Sequence, residues 1–311
     1  MKEKLTGCLL LVLLIVLIPA MITLVFGRDV SLPVSGDGGT QSPQVSVGEG
    51  NQTIDLKEYL IGVTAAQIPG DYSLEAVKAQ MILNRTYYYC VLGDRTNLSA
   101  EELDFSYLSE EERAAKWAAT GDTEAVKRFE QAAVETEGQV MTCQRKLAVG
   151  MYHSVSAGVT RGLSEKYPYL CSVDSEWDSR AEGYLTVIEY GEDVLLQKLK
   201  EKLDPNIASA IGRDVLQILE RDAAGYVESL MVGTTIVAGD EFADCLDLPS
   251  AAFSFQWPDE GRLSIVCLGQ GHGYGLSQYG ADCLAREGKS ALQILQYYFQ
   301  NVTLETWKRD E

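Results

Sequence analysis

The chain holds two imidazoles, and each lies in a stretch whose residue types could do chemistry. His272 sits in GQGHGYGLSQYGA, Gly269 to Ala281, with Tyr274, Ser277, Gln278 and Tyr279. His153 opens HSVSAGVT, a hydroxyl-rich run carrying Ser154, Ser156 and Thr160. Glycine at this density lets backbone turn through φ > 0 and lets another chain approach closely. The loop lies between the apolar run Leu263 to Leu268 and a helix-like run from Asp282 to Phe299, so it reads as a strand–loop–helix junction. Such a junction can turn backbone N–H groups toward a ligand; a plain tight turn fits the same residues. His153 beside Ser154 invites comparison with a hydrolase triad, but no GxSxG elbow is present. A third position is Gln67, an amide on the apolar face of a helix, directly before Ile68-Pro69.

Positioning these groups requires a sizeable fold, and 311 residues with 46% apolar content can supply one or two cores. The net charge of −19 argues against nucleic acid as a partner. Residues 1–28 are a different material. Lys2 and Lys4 precede an uncharged run, Gly7 to Gly27, with no small-residue cleavage site after it. About 20 apolar residues span a bilayer, so the expectation is one uncleaved transmembrane helix with its N-terminus in the cytoplasm and the remainder outside. Residues 29–52, rich in Gly, Ser, Pro and Val, read as a flexible linker. A folded domain is expected over 53–303, with 304–311 a tail. Cys90, Cys143, Cys171, Cys245, Cys267 and Cys283 show no CxxC spacing; disulfides and buried thiols both fit.

Local signals place the elements. Asp55 is an N-cap candidate, with Glu58 three residues on, and Leu56, Leu60, Val63 and Gln67 share one helical face. Proline ends that helix. Ser73 caps a second helix with Glu75 in its first turn and an apolar stripe of Leu74, Val77 and Met81. Residues 124–136 read as a helix. Residues 139–141 and 147–153 read as a hairpin around 144–146, and 226–237 as another. Strands are expected at 185–190, 251–255 and 263–268, a polar helical region between 192 and 219, and a final helix over 290–299. The fold class is α+β: a single ectodomain of helices packed on mixed or antiparallel strands.

Several segments in order then form a recognisable set: IDLKEYLIGVTAAQIPGDYSLEAVKAQMILNRTYYY, YHSVSAGVT, YPYLCSVDSEWD, RDAAGYVESLMVG, GDEFADCLDLPSAAF and GQGHGYGLSQYGADCLAREGKSALQILQYYF. Together they resemble the stage II sporulation protein D family, whose domain is shared with amidase-enhancer proteins. The resemblance runs from about residue 53 to 303, and its last segment is the most specific. It implies a peptidoglycan lytic transglycosylase that cuts peptide-free glycan strands between N-acetylmuramic acid and N-acetylglucosamine. Such an enzyme leaves 1,6-anhydro ends, needs no cofactor, and works in the mother-cell membrane during engulfment of the forespore. The implied partners are glycan strands and stage II sporulation proteins P and M.

Glycan cleavage by this route needs one carboxyl group to protonate the leaving oxygen and later accept the C6 hydroxyl proton. The resemblance puts that glutamate in an AAEMP-like corner. Here the corner is Ala65-Ala66-Gln67-Ile68-Pro69, so an amide stands at the position of the acid. Three readings follow: a relative that grips glycan without cleaving it, another carboxylate such as Glu75 or Asp71 acting instead, or an engineered glutamate-to-glutamine change of the kind that traps substrate. The resemblance further implies substrate contacts from Glu75, Arg85, His153, Ser154, Ser156, Thr160, His272, Tyr274, Ser277, Gln278 and Tyr279. Some family members carry zinc after the second helix. That region here, LGDRTNLSAEELDFSYL, lacks His and Cys, and no metal site is expected. Gly225-Tyr226 in place of Gly-Arg and Ala243 in place of an arginine depart from the family pattern alongside Gln67.

Overall fold

In a computed structural model, residues 44–47, 52–95, 97–203, 207, 215–258 and 262–307 are described here. The anchor expected in 1–28 lies outside them. Among the described residues, no helix is long and apolar enough to cross a membrane. The architecture is α+β. Where one ectodomain is expected from sequence, the chain groups into two compact units. The first takes in the described residues of 44–70, 81–149 and 302–307, and the second those of 71–80 and 150–301.

The first unit is built on the helix Leu56–Gln67 and on the larger part of the helix Leu74–Leu92. Asp55 caps the former by accepting from Lys57 N at 2.8 Å. Glu58 does not close a capping box; it pairs with Arg113 at 2.6 Å. The periodic side chains Leu56, Leu60 and Val63 are buried as expected, with Tyr59, Met81, Ile82 and Leu83 beside them in the core. Ile68 leaves the helix in extended geometry (φ −128°, ψ 157°), which the following proline favours.

Two boundaries move. Gln44–Val47 is a strand rather than linker. It pairs antiparallel with Gln52–Asp55 and parallel with Leu98–Ser99, and it buries Val45 completely. At the other end Val302–Thr306 is a strand rather than the start of a tail, pairing antiparallel with Gln139–Cys143. That second strand also pairs with Lys146–Leu147 through a two-residue turn, Gln144-Arg145, both at positive φ (52° and 63°). Two positive φ values are the signature of the turn whose twist matches a hairpin. Tyr152–His153, expected to extend this hairpin, belongs to the second unit and pairs instead with Leu276–Ser277.

The second unit contains two antiparallel three-stranded sheets. One orders Thr235–Ala238, Val227–Val232 and Leu216–Arg221; the other orders Phe253–Gln256, Arg262–Leu268 and Leu185–Gly191. Leu216–Arg221, expected at the edge of a polar helical region, is thus a strand: pairing with Val227–Val232 overrides the helix propensity of LQILER. Leu195, Leu199, Leu230, Phe242, Phe253 and Ile265 form the core of this unit. The run from 278 to 299 is two helices, Gln278–Arg286 and Ala291–Tyr298. They are separated at Gly288 (φ 86°) and restarted by a capping box of Ser290 and Gln293. All six described cysteines are free thiols, so no disulfide braces either unit.

Candidate functional site

The candidate residues fall in two places, one in each unit. In the first unit Gln67 is the last residue of its helix, where chain direction leaves carbonyls without intrahelical partners. No basic residue lies in the last turn. The cation comes from elsewhere: Lys116 Nζ reaches the Ala65 carbonyl at 2.6 Å and that of Ile68 at 3.5 Å. Partial burial lowers the Lys116 pKa. Gln67 is half-buried, and its Oε1 accepts from Asn84 Nδ2 at 2.8 Å. Asn84, wholly buried on the second helix, also reaches Thr64 Oγ1 at 3.1 Å. The corner therefore fixes an amide by its oxygen and has a cation capping the same helix end. This arrangement can orient a hydrogen-bonding group, but an amide has no proton to transfer at a useful pKa.

In the second unit the two histidine-bearing stretches lie side by side. Leu276–Ser277 runs parallel to Tyr152–His153, and Val155 and Gln270 exchange backbone bonds of 3.1 and 2.7 Å. Tyr279 N donates to the Ser154 carbonyl at 3.1 Å, and Arg161 N to that of Gly273 at 2.8 Å. Glycine is required by this crossing. At Gly275 (φ 73°) a Cβ would lie 2.2 Å from the Met151 carbonyl oxygen, and at Gly273 (φ 81°) 2.4 Å from the Tyr226 ring.

The crossing brings the two imidazoles together, ring centres 5.8 Å apart at 63°. His153 Nδ1 lies 3.1 Å from the Tyr274 carbonyl oxygen, which can only accept, so Nδ1 carries the proton. Its Nε2 is buried without a hydrogen-bond partner. Burial, reinforced by His272, pushes the His153 pKa down to about 3. His272 accepts from Tyr274 N through Nδ1 at 3.0 Å. Dense packing and the Arg161 charge lower its pKa as well. At neutral pH both rings are therefore neutral, hydrogen-bonding groups rather than cations or acids, and Nε2 of His153 is an acceptor still to be satisfied.

Other candidates hold the loops instead of facing a ligand. Ser277 is wholly buried, caps the helix that follows by accepting from Gly280 N at 3.1 Å, and donates to Asp178 Oδ1 at 2.8 Å. Ser156 is wholly buried and accepts from Gly158 N. Thr160 is buried in a bonded pair with Val173, and Gln278 donates to Gln80 at 3.3 Å. Arg85, expected to meet substrate, is buried in the first unit, where it donates to Thr136 Oγ1 and the Gln139 carbonyl. Glu75 accepts from Ala291 N at 2.7 Å and pairs with Lys78, which commits its carboxylate to the start of the last helix. Ser154 and His272 remain exposed, and Tyr274 and Tyr279 half-buried.

Sequence reasoning passed over the two charged groups that organise this region. Asp178 is wholly buried, with no ion-pair partner among the described residues; Ser156 N (2.8 Å) and Ser277 Oγ (2.8 Å) donate to it, one from each stretch. Burial raises its pKa against those bonds. Arg161 donates to Asp222 at 2.6 Å, to both Asp240 oxygens at 3.0 and 3.1 Å, and to the His272 carbonyl at 3.4 Å. Its guanidinium lies 4.4 Å from the Tyr274 ring centre and 5.0 Å from that of Tyr226. Asp178 stood in the quoted segment YPYLCSVDSEWD; Arg161 directly follows HSVSAGVT.

Comparison with known proteins agrees with the resemblance. The family model described as stage II sporulation protein matches residues 49–143. Stage II sporulation protein D of Bacillus subtilis (strain 168) is 29% identical over 266 residues, covering 81% of this chain and 75% of that protein. The Bacillus amyloliquefaciens protein of the same name is 29% identical over 267 residues with the same coverage. An amidase enhancer of Bacillus subtilis is 22% identical over 300 residues, 80% of this chain and 40% of that protein. In extent and order, the chain is similar to the stage II sporulation protein D proteins over most of its length.

Proposed function

We propose that this chain is a cell-wall protein of sporulation that binds the glycan strands of peptidoglycan and is impaired in cutting them. One observation carries the reading: the side chain at the end of the first helix is an amide, Gln67, held through its oxygen by Asn84. A carboxyl group there would serve as acid and then base; the amide forfeits general catalysis, on the order of 10²–10⁴-fold. The exposed His272 and Ser154 and the half-buried Tyr274 and Tyr279 supply hydrogen bonds and ring faces suited to neutral sugars. The first 28 residues would tether the protein to the mother-cell membrane, and stage II sporulation proteins P and M would be its partners.

The competing reading is the lytic transglycosylase that the family resemblance implies, and one experiment separates them. The protein and its Gln67→Glu variant are incubated with peptide-free glycan strands, and soluble products are analysed for 1,6-anhydro-muramyl ends. Binding without products, turned into cleavage by Gln67→Glu, is the expected result. Anhydro ends released by the unaltered protein would restore the enzymatic reading. Failure of either protein to bind glycan would remove both.

A further inference from the structure

The segment YPYLCSVDSEWD contains a tryptophan that none of the preceding roles uses. Trp177 lies on the 3-10 helix Glu176–Arg180, directly before the buried Asp178. Its ring is half-buried and meets that of Tyr297 edge to face, centres 5.7 Å apart at 69°. Both polar handles are tied down. The indole Nε1 donates to Glu287 Oε1 at 2.8 Å, and the Tyr297 hydroxyl donates to the Asp174 carbonyl at 2.8 Å. Two aromatic rings are thus held at a fixed angle at the surface, a preorganised corner with little rotamer entropy left to lose on binding.

Arg180 belongs to the same corner. Residues three apart on a 3-10 helix eclipse one another, so Arg180 projects on the Trp177 side. It is exposed and has no ion-pair partner among the described residues. Its charge, with that of Arg286, also acts on the Tyr279 phenol, whose pKa is raised chiefly by burial. Asp178 links the corner to the histidine-bearing stretches through its bonds to Ser156 and Ser277.

A pyranose ring has apolar C–H faces and polar edges, which matches an aromatic corner rimmed by a cation and a carboxylate. We propose that Trp177 and Tyr297 form a stacking subsite for a sugar of an acidic amino-sugar polymer, and that Arg180 receives that sugar's carboxylate. In peptide-free peptidoglycan this group is the lactyl carboxylate of N-acetylmuramic acid. The proposal rests on the glycan-binding reading above and adds the place and the part of the glycan held.

The test titrates the full chain with two probes, peptide-free glycan strands and an N-acetylglucosamine tetramer that lacks the lactyl group. Trp177 emission, taken as the difference between the unaltered protein and Trp177→Phe, should change on binding. Trp177→Ala and Tyr297→Ala should each weaken binding of both probes about 3–10-fold, and Trp177→Phe, which keeps a ring face, should recover part of the loss. Arg180→Gln should weaken binding of the strands and leave the tetramer unaffected. If the unaltered protein binds and both alanine variants bind equally well, the subsite is overturned while the glycan reading stands. An Arg180→Gln effect equal on both probes, or absent on both, overturns the carboxylate assignment. If the unaltered protein binds neither probe, the glycan reading fails and the subsite falls with it.

Discussion

Asn84 Nδ2 bridges Gln67 Oε1 at 2.8 Å and Thr64 Oγ1 at 3.1 Å, so one buried amide on the second helix fixes the last turn of the first. Removing it takes a donor from the buried Thr64 hydroxyl and from the Gln67 side chain. Asn84→Ala should cost about 1–3 kcal/mol in urea unfolding. In a Gln67→Glu background it should also lower any restored cleavage, because the donor that orients the carboxylate is gone.

The buried imidazole of His153 makes stability depend on acid. Its folded pKa of about 3 lies below the ordinary 6.5, so the unfolded chain takes up a proton first as pH falls. Stability should be undiminished above 6.5, fall as pH drops from about 6.5 to 3, and level off below, a loss of roughly 3–5 kcal/mol by linkage. His153→Asn retains a donor for the Tyr274 carbonyl without titrating. Denaturant midpoints measured against pH should show a shallower acid slope in this variant; an unchanged slope would refute the assignment.

Arg161 is bonded to two aspartates and enclosed by two tyrosine rings. Arg161→Met leaves Asp222 and the half-exposed Asp240 without their cation and should cost about 1–3 kcal/mol. The same change removes one of the causes that depress His272, so the His272 titration midpoint followed by NMR should move up toward 6.5. A purely packing role for Arg161 would leave that midpoint in place.

Glu75 places a carboxylate 2.7 Å from the first backbone nitrogen of the helix Ala291–Tyr298. Glu75→Gln keeps an acceptor and removes the charge, so the loss should be modest, about 0.3–1 kcal/mol, and smaller at high salt. Thermal melts at two ionic strengths would check this. A catalytic Glu75 would instead lose activity with little change in stability.

The helices and hairpins with strong local signals were legible: Asp55 and Leu56–Gln67, residues 124–136, and the strand pair around Gly233. What was missed depends on partners remote in the chain. Val302–Thr306 carries no periodicity that separates it from a tail; it becomes a strand because Gln139–Cys143 offers an edge. Arg161 and Asp178 look like ordinary surface charges until Asp222, Asp240, Ser156 and Ser277 arrive beside them. The hydroxyls and amides of Ser277, Ser156, Thr160 and Gln278 had the right chemistry for a ligand, but burial turns that chemistry inward. Burial likewise turns the Arg85 guanidinium toward Thr136 and the Gln139 carbonyl.

The strand Val302–Thr306 has a consequence for how the protein is made. Its partner, Gln139–Cys143, is synthesised before the whole of 150–301, and the sheet they share belongs to the first unit. A chain emerging from the N-terminus therefore presents an open strand edge until Val302–Thr306 has been made. During that interval the edge is exposed to mispairing. The unit that begins first is the one that closes last.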